Sequence, residues 1–118
     1  MQPEERNYAY LWDMLQAASE LKEMNLNVNY EGFIDDLKLM RATERSLEII
    51  GEAARRLSDE FTASQPEINW RAMIGQRNII AHEYGQIDYE VLYRTVTDDI
   101  PLLIQQLEQI LPAMDDES

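Results

Sequence analysis

The sequence predicts an all-α protein, an antiparallel four-helix bundle whose last helix is kinked or split. Two observations predict it. Apolar residues recur at three- and four-residue spacing through most of the chain, and no stretch alternates as a half-buried strand does. Breaks rich in Asn, Gln, Gly and Pro divide that pattern into pieces of bundle-helix length. With 118 residues, 45% hydrophobic and 28% charged, the composition is globular and fits one domain spanning residues 1–118.

The first helix is expected from about Glu4 to Met24, with Tyr8, Leu11, Leu15 and Ala18 in one stripe and Trp12 beside them. Asn25-Leu26-Asn27-Val28-Asn29 then breaks the pattern with residues that favour turns. A long second helix is expected from Tyr30 to Phe61. Phe33, Leu37, Met40, Leu47, Ile50, Ala54, Leu57 and Phe61 form its stripe, with Glu44 as the polar interruption. Gly51 inside it costs up to ~1 kcal/mol of helix propensity but allows a neighbouring helix to come close. Thr62-Ala63-Ser64-Gln65-Pro66 forms the next connection.

The third helix is expected to open at Asn69 as N-cap and to run from Trp70 to His82, with Gly85 as a left-handed terminator. The fourth opens at Asp88 and carries Leu92, Val96, Leu103, Leu107 and Ile110 on one face. Pro101 is expected to kink or restart it, with Asp98 or Asp99 as a local cap. Residues 113–118 read as a charged, disordered tail.

Charge and composition narrow the chemistry. Ten Lys and Arg stand against 23 Asp and Glu, a net −13 that repels phosphate at long range. Any nucleic-acid site must therefore be a local basic pocket. The absence of cysteine excludes thiol catalysis, disulfides and cysteine-based zinc sites. The single histidine excludes a two-His metal site within one chain, and neither metal nor other cofactor is expected. The polar, acidic start and the short apolar runs predict a cytoplasmic protein with no membrane association.

One polar cluster stands out, Arg77-Asn78-Ile79-Ile80-Ala81-His82-Glu83-Tyr84 at the end of the third helix. Asn78 and His82 share a face, whereas Arg77 and His82 lie about 140° apart on a regular helix. They could converge if the helix frays near His82 or if a second subunit supplies the complementary half. An arginine that grips phosphate oxygens beside an imidazole that moves a proton suits phosphate ester chemistry. The alternatives are structural: His82 as a cap for terminal carbonyls, Arg77 in an ion pair, and Tyr84 as a packing residue.

Arg77-x4-His82-x-Tyr84 resembles the signature of the HepT toxins in the HEPN superfamily of small helical ribonucleases. The resemblance extends over roughly residues 5–112. Glu44-Arg45-Ser46-Leu47-Glu48-Ile49-Ile50-Gly51-Glu52-Ala53-Ala54-Arg55-Arg56-Leu57 is similar to that family's long second helix. Pro66-Glu67-Ile68-Asn69-Trp70-Arg71 resembles the segment preceding the motif helix, and Thr97-Asp98-Asp99-Ile100-Pro101 resembles the last helix. The resemblance implies a metal-independent endoribonuclease toxin with a composite site across a homodimer. It implies Arg77 and His82 as catalytic residues, with Asn78 and Tyr84 as supporting or RNA-binding groups. It further implies that a minimal nucleotidyltransferase antitoxin silences the toxin by adenylylating Tyr84. Two rivals remain: a non-catalytic helical docking module for a nucleotidyltransferase, and a dimeric bundle without nucleotide chemistry. Neither needs the Arg77–His82 pair.

Overall fold

The computed structural model describes residues 3–116, and every regular element in them is helical. Helix α1 (Pro3–Met24) leads into a turn in which Asn27 takes a left-handed φ of 62°, a conformation asparagine tolerates. Next come α2 (Tyr30–Ile34), α3 (Leu37–Arg56) and α4 (Asp59–Ser64). The expected single helix from Tyr30 to Phe61 is thus three helices.

Two side-chain caps cause the division. The Leu39 N–H donates to Asp36 Oδ1 at 3.0 Å, starting α3 afresh from an extended residue. The Phe61 N–H donates to Ser58 Oγ at 3.2 Å and starts α4 in the same way. Asn7 of α1 secures this second break. Its Oδ1 accepts from the Ser58 N–H at 3.1 Å and its Nδ2 donates to Ser58 Oγ at 3.1 Å. At the other end of α1, buried Asn25 donates to Thr43 Oγ1 of α3 at 3.2 Å and to the Leu21 carbonyl at 3.1 Å.

Helix α5 (Trp70–His82) has the expected bounds, and the Asn69 side chain accepts from the Ala72 N–H. Gly85 does not take the left-handed conformation expected of it; no glycine among the described residues does. The helix is already terminated at Glu83 (φ −127°, ψ 48°), and Gly85 sits inside a short 3₁₀ turn, Tyr84–Gln86. Asp88 caps α6 (Tyr89–Arg94), which continues without a break through a π-helical turn, Thr95–Asp99, into α7 (Ile100–Asp116). Pro101 lacks the N–H that a regular α-helix requires at that place, and the wider π turn just before it accommodates the loss. Neither Asp98 nor Asp99 starts a new helix, because the backbone stays helical through Ile100. The last helix also runs into the expected tail as far as Asp116, because Leu111 is buried and Met114 packs on the core. Glu117 and Ser118 lie outside the described residues.

Helix α1 packs on α3 and α7, and α3 packs on α5. Leu11, Met14 and Leu21 of α1 meet Phe33, Ile50 and Leu107 in the fully buried centre. Helices α5, α6 and α7 border a groove of about 580 Å³, around which Ile79, Val91 and Leu102 stay exposed. No helix among the described residues is long and apolar enough to cross a membrane.

The α3–α5 contact depends on Gly51. A Cβ there would fall against Arg77 Cβ and only 2.6 Å from the Met73 carbonyl oxygen, so α5 lies where only a glycine fits beneath it. By contrast, a Cβ at Gly75 meets nothing within 4 Å. Gly51→Ala should therefore lower stability in urea denaturation by about 2 kcal/mol or more. Gly75→Ala should raise it by up to about 1 kcal/mol. Equal effects would refute the close approach.

Candidate active site

Helix α5 delivers Arg77, Asn78 and His82 to one end of the bundle, and the following turn adds Tyr84. Arg77 lies flat against α3, with only 20% of its side chain exposed. Its Nη2 lies 3.3 Å from Glu52 Oε2, and its Nη1 donates to Asn78 Oδ1 at 3.2 Å. The same Nη1 approaches His82 Nε2 to 3.5 Å. A guanidinium carries donors only, so the imidazole nitrogen facing it can only accept.

The convergence of Arg77 and His82 thus occurs within one chain. Their azimuths differ as a regular helix requires, but the long arginine side chain runs from its anchor on α3 towards the end of α5. No second subunit is needed for the contact. The structural alternative for Arg77 also holds, since it is in an ion pair with Glu52. For His82 it does not, because no hydrogen bond among the described residues joins the ring to terminal carbonyls; its polar contact is with Arg77. The Arg77 Nε is buried without a partner.

Glu52 collects three cations. Arg55 donates to it from Nη2 at 2.8 Å and from Nε at 3.2 Å, and Arg56 donates from Nε at 2.9 Å. Arg77 completes the set. The hydrogen bonds from Arg55 and then Arg56 hold the Glu52 carboxyl down at about 2. Arg45, Arg56 and Arg77 line a shallow hollow of about 270 Å³ together with Asp13, Glu48 and Glu52. Arginine is concentrated here, but three carboxylates line the same hollow and balance the three arginines.

A second network lies under Tyr84. Glu44 is 5% exposed, and its Oε2 accepts from Arg41 Nη1 at 2.7 Å and from the Tyr89 hydroxyl at 2.9 Å. Arg41 Nη1 also donates to Tyr89 Oη at 3.2 Å. Burial raises the Tyr89 phenol above its ordinary value, so it remains a donor. The Arg41 guanidinium carbon sits 5.2 Å from the centre of the Tyr84 ring, and Tyr84 is 50% exposed.

Sequence reasoning put Asn78 and His82 on one face and Arg77 well away from His82, and it did not anticipate that Glu52 holds Arg77 or that Arg41, Glu44 and Tyr89 bond to one another. One signal was available: a glutamate in the middle of an apolar stripe, such as Glu44, has to be held by buried partners. For Glu52 the expected pH effect follows from its depressed value. Its contribution to stability is complete above the ordinary carboxyl value of 4.5 and disappears as the pH falls towards about 2. Thermal melts should show wild type losing stability across that interval more steeply than Glu52→Gln, and parallel curves would count against the cluster.

Comparison with known proteins bears on the family of the chain. The family model "Ribonuclease HepT-like" matches residues 14–110. A protein of Thermococcus cleftensis named as a probable ribonuclease HepT is 38% identical over 101 residues, which cover 86% of this chain and 92% of the relative. A protein of Methanocaldococcus jannaschii named as a candidate RNase is 37% identical over 100 residues, covering 85% and 92%. Another so named, from Caldanaerobacter subterraneus subsp. tengcongensis, is 37% identical over 102 residues, covering 86% and 91%. No solved structure matches significantly. With a family match over most of its length and relatives that it spans almost end to end, the chain belongs to the HepT-like ribonuclease family.

Proposed function

We propose that this protein is a metal-independent endoribonuclease toxin, with Arg77 and His82 as its catalytic pair. The observation that carries the proposal is the position of Arg77, locked by Glu52 on one side and 3.5 Å from the His82 ring on the other. A guanidinium fixed in this way meets a phosphate without further ordering, and it stabilises charge that builds on the phosphate oxygens in the transition state.

The reaction is attack by a ribose 2′-hydroxyl on the adjacent phosphorus. The 2′-oxygen gives up its proton as the new P–O bond forms. The P–O5′ bond then breaks, and the departing 5′-oxygen takes up a proton, leaving a 2′,3′-cyclic phosphate. His82 serves one of these proton transfers. A homodimer supplies a second histidine for the other and places both arginines around one cleft. The apolar groove beside α5, with exposed Ile79 in the turn before His82, offers surface for a second copy to cover. Asn78 supports the site by accepting from Arg77.

Tyr84 is the point of control. A minimal nucleotidyltransferase antitoxin transfers adenylate from ATP to its hydroxyl, which loses its proton as pyrophosphate departs, placing bulk and negative charge two residues from His82. The half-exposed ring on a short turn suits such access. The rival role, a docking module for that enzyme, gives Arg77 and His82 no task.

Purified protein should cleave single-stranded RNA in excess EDTA, and Arg77→Ala and His82→Ala should each reduce the rate at least ~100-fold while circular dichroism stays unchanged. A folded, dimeric wild type without activity would transfer the case to the docking module. With labelled ATP and a cognate nucleotidyltransferase, label should enter wild type and not Tyr84→Phe. Equal labelling of both would place the modification elsewhere.

A further inference from the structure

The geometry points to a second use of Tyr84: we propose that its ring is a stacking platform for one base of the bound RNA, backed by Arg41. The proposal rests on the site taking RNA, and it concerns the face of the ring rather than the hydroxyl.

Three observations carry it. Tyr84 is the large aromatic residue left most exposed beside the Arg77–His82 pair, at 50%, on a turn that begins two residues after the histidine. One face of its ring is covered by the Arg41 guanidinium at 5.2 Å, while half of the residue stays exposed. Arg41 is not a wandering surface side chain. Buried Glu44 binds it at 2.7 Å, Tyr89 binds it at 3.2 Å, and Tyr89 and Glu44 are themselves bonded at 2.9 Å.

The physical consequence is a pre-set aromatic plane. An unsupported tyrosine on a three-residue turn loses side-chain entropy when a base settles on it. Here the cation–π contact and the carboxylate behind it have fixed the plane before the RNA arrives. Stacking tolerates any base because each has a π face, so the platform adds affinity and registers the strand without dictating sequence. Arg41 and Glu44 are positioning residues in this scheme, acting through the ring.

The test uses the full chain and a fluorescein-labelled 2′-O-methyl RNA of about ten nucleotides, which binds but cannot be cleaved by 2′-attack. Anisotropy titrations compare wild type, Tyr84→Phe, Tyr84→Ala and Arg41→Met, each checked for native circular dichroism. Tyr84→Ala should weaken binding about 5- to 100-fold. Tyr84→Phe keeps the ring and should stay within about threefold of wild type. Arg41→Met should lose about two- to fivefold, and Glu44 retains Tyr89 as a partner.

A set of the same oligonucleotides, each with one abasic position, separates stacking from general damage. In wild type and Tyr84→Phe, one abasic position should weaken binding far more than its neighbours, and in Tyr84→Ala that sensitivity should vanish. Equal binding by the Phe and Ala variants, or abasic sensitivity that survives in Tyr84→Ala, overturns the platform. Cleavage of unmodified RNA by wild type is measured in parallel. Cleavage without the stacking signature sinks the platform and leaves the nuclease standing. The stacking signature without cleavage does the reverse, and no RNA binding at all sinks both.

Discussion

The close approach of α5 to α3 at Gly51 is the constraint on which the site depends. With no side chain beneath it, Arg77 starts its path on the surface of α3 rather than in solvent. From there its guanidinium reaches Glu52, the residue that follows Gly51 on the same helix. A larger residue at Gly51 forces the helices apart, and the arginine then leaves its anchor and swings away from His82. The ~1 kcal/mol of helix propensity forgone at a mid-helix glycine is small beside what the contact organises.

Two carboxylates of α3 divide the electrostatic work, and both do it by holding arginine. Glu44 is buried and satisfied by one arginine and one phenol, a closed group that stiffens the surface under Tyr84. Glu52 is partly exposed and shared among three arginines, which outnumber it, while Asp13 and Glu48 line the same hollow. The −13 of the whole chain and this local cluster of arginines coexist because screening at physiological salt confines each charge to roughly 8 Å. The acidic remainder limits indiscriminate attraction of nucleic acid and leaves recognition to the arginines.

The fold class and the position of the motif helix were legible because both follow from local rules. Asn69 announces α5 as a cap, and the 3–4 spacing of apolar residues marks α1, α3 and α7. Ser58 and Asp36 are equally ordinary caps, but they lie within an apolar stripe that continues across them, and the stripe concealed two helix breaks. Gly85 misled in the opposite sense, since a terminator was expected at a glycine when Glu83 had already ended the helix. In the site, His82 and Arg77 were singled out by family resemblance rather than by spacing, and their contact could be read from neither. It depends on how a flexible side chain is anchored by Glu52, which lies 25 positions earlier in the chain and is near only after α3 and α5 have packed.

The two amide clasps on α1 make that helix a gauge of fixed length. Asn7 grips Ser58 and Asn25 grips Thr43, and the two asparagines are about five full turns apart, so they emerge at the same azimuth. One residue inserted or deleted between them turns one clasp about 100° away from its partner. The exposed positions in this segment can therefore exchange side chains, but a change in the number of residues between the clasps breaks one of them.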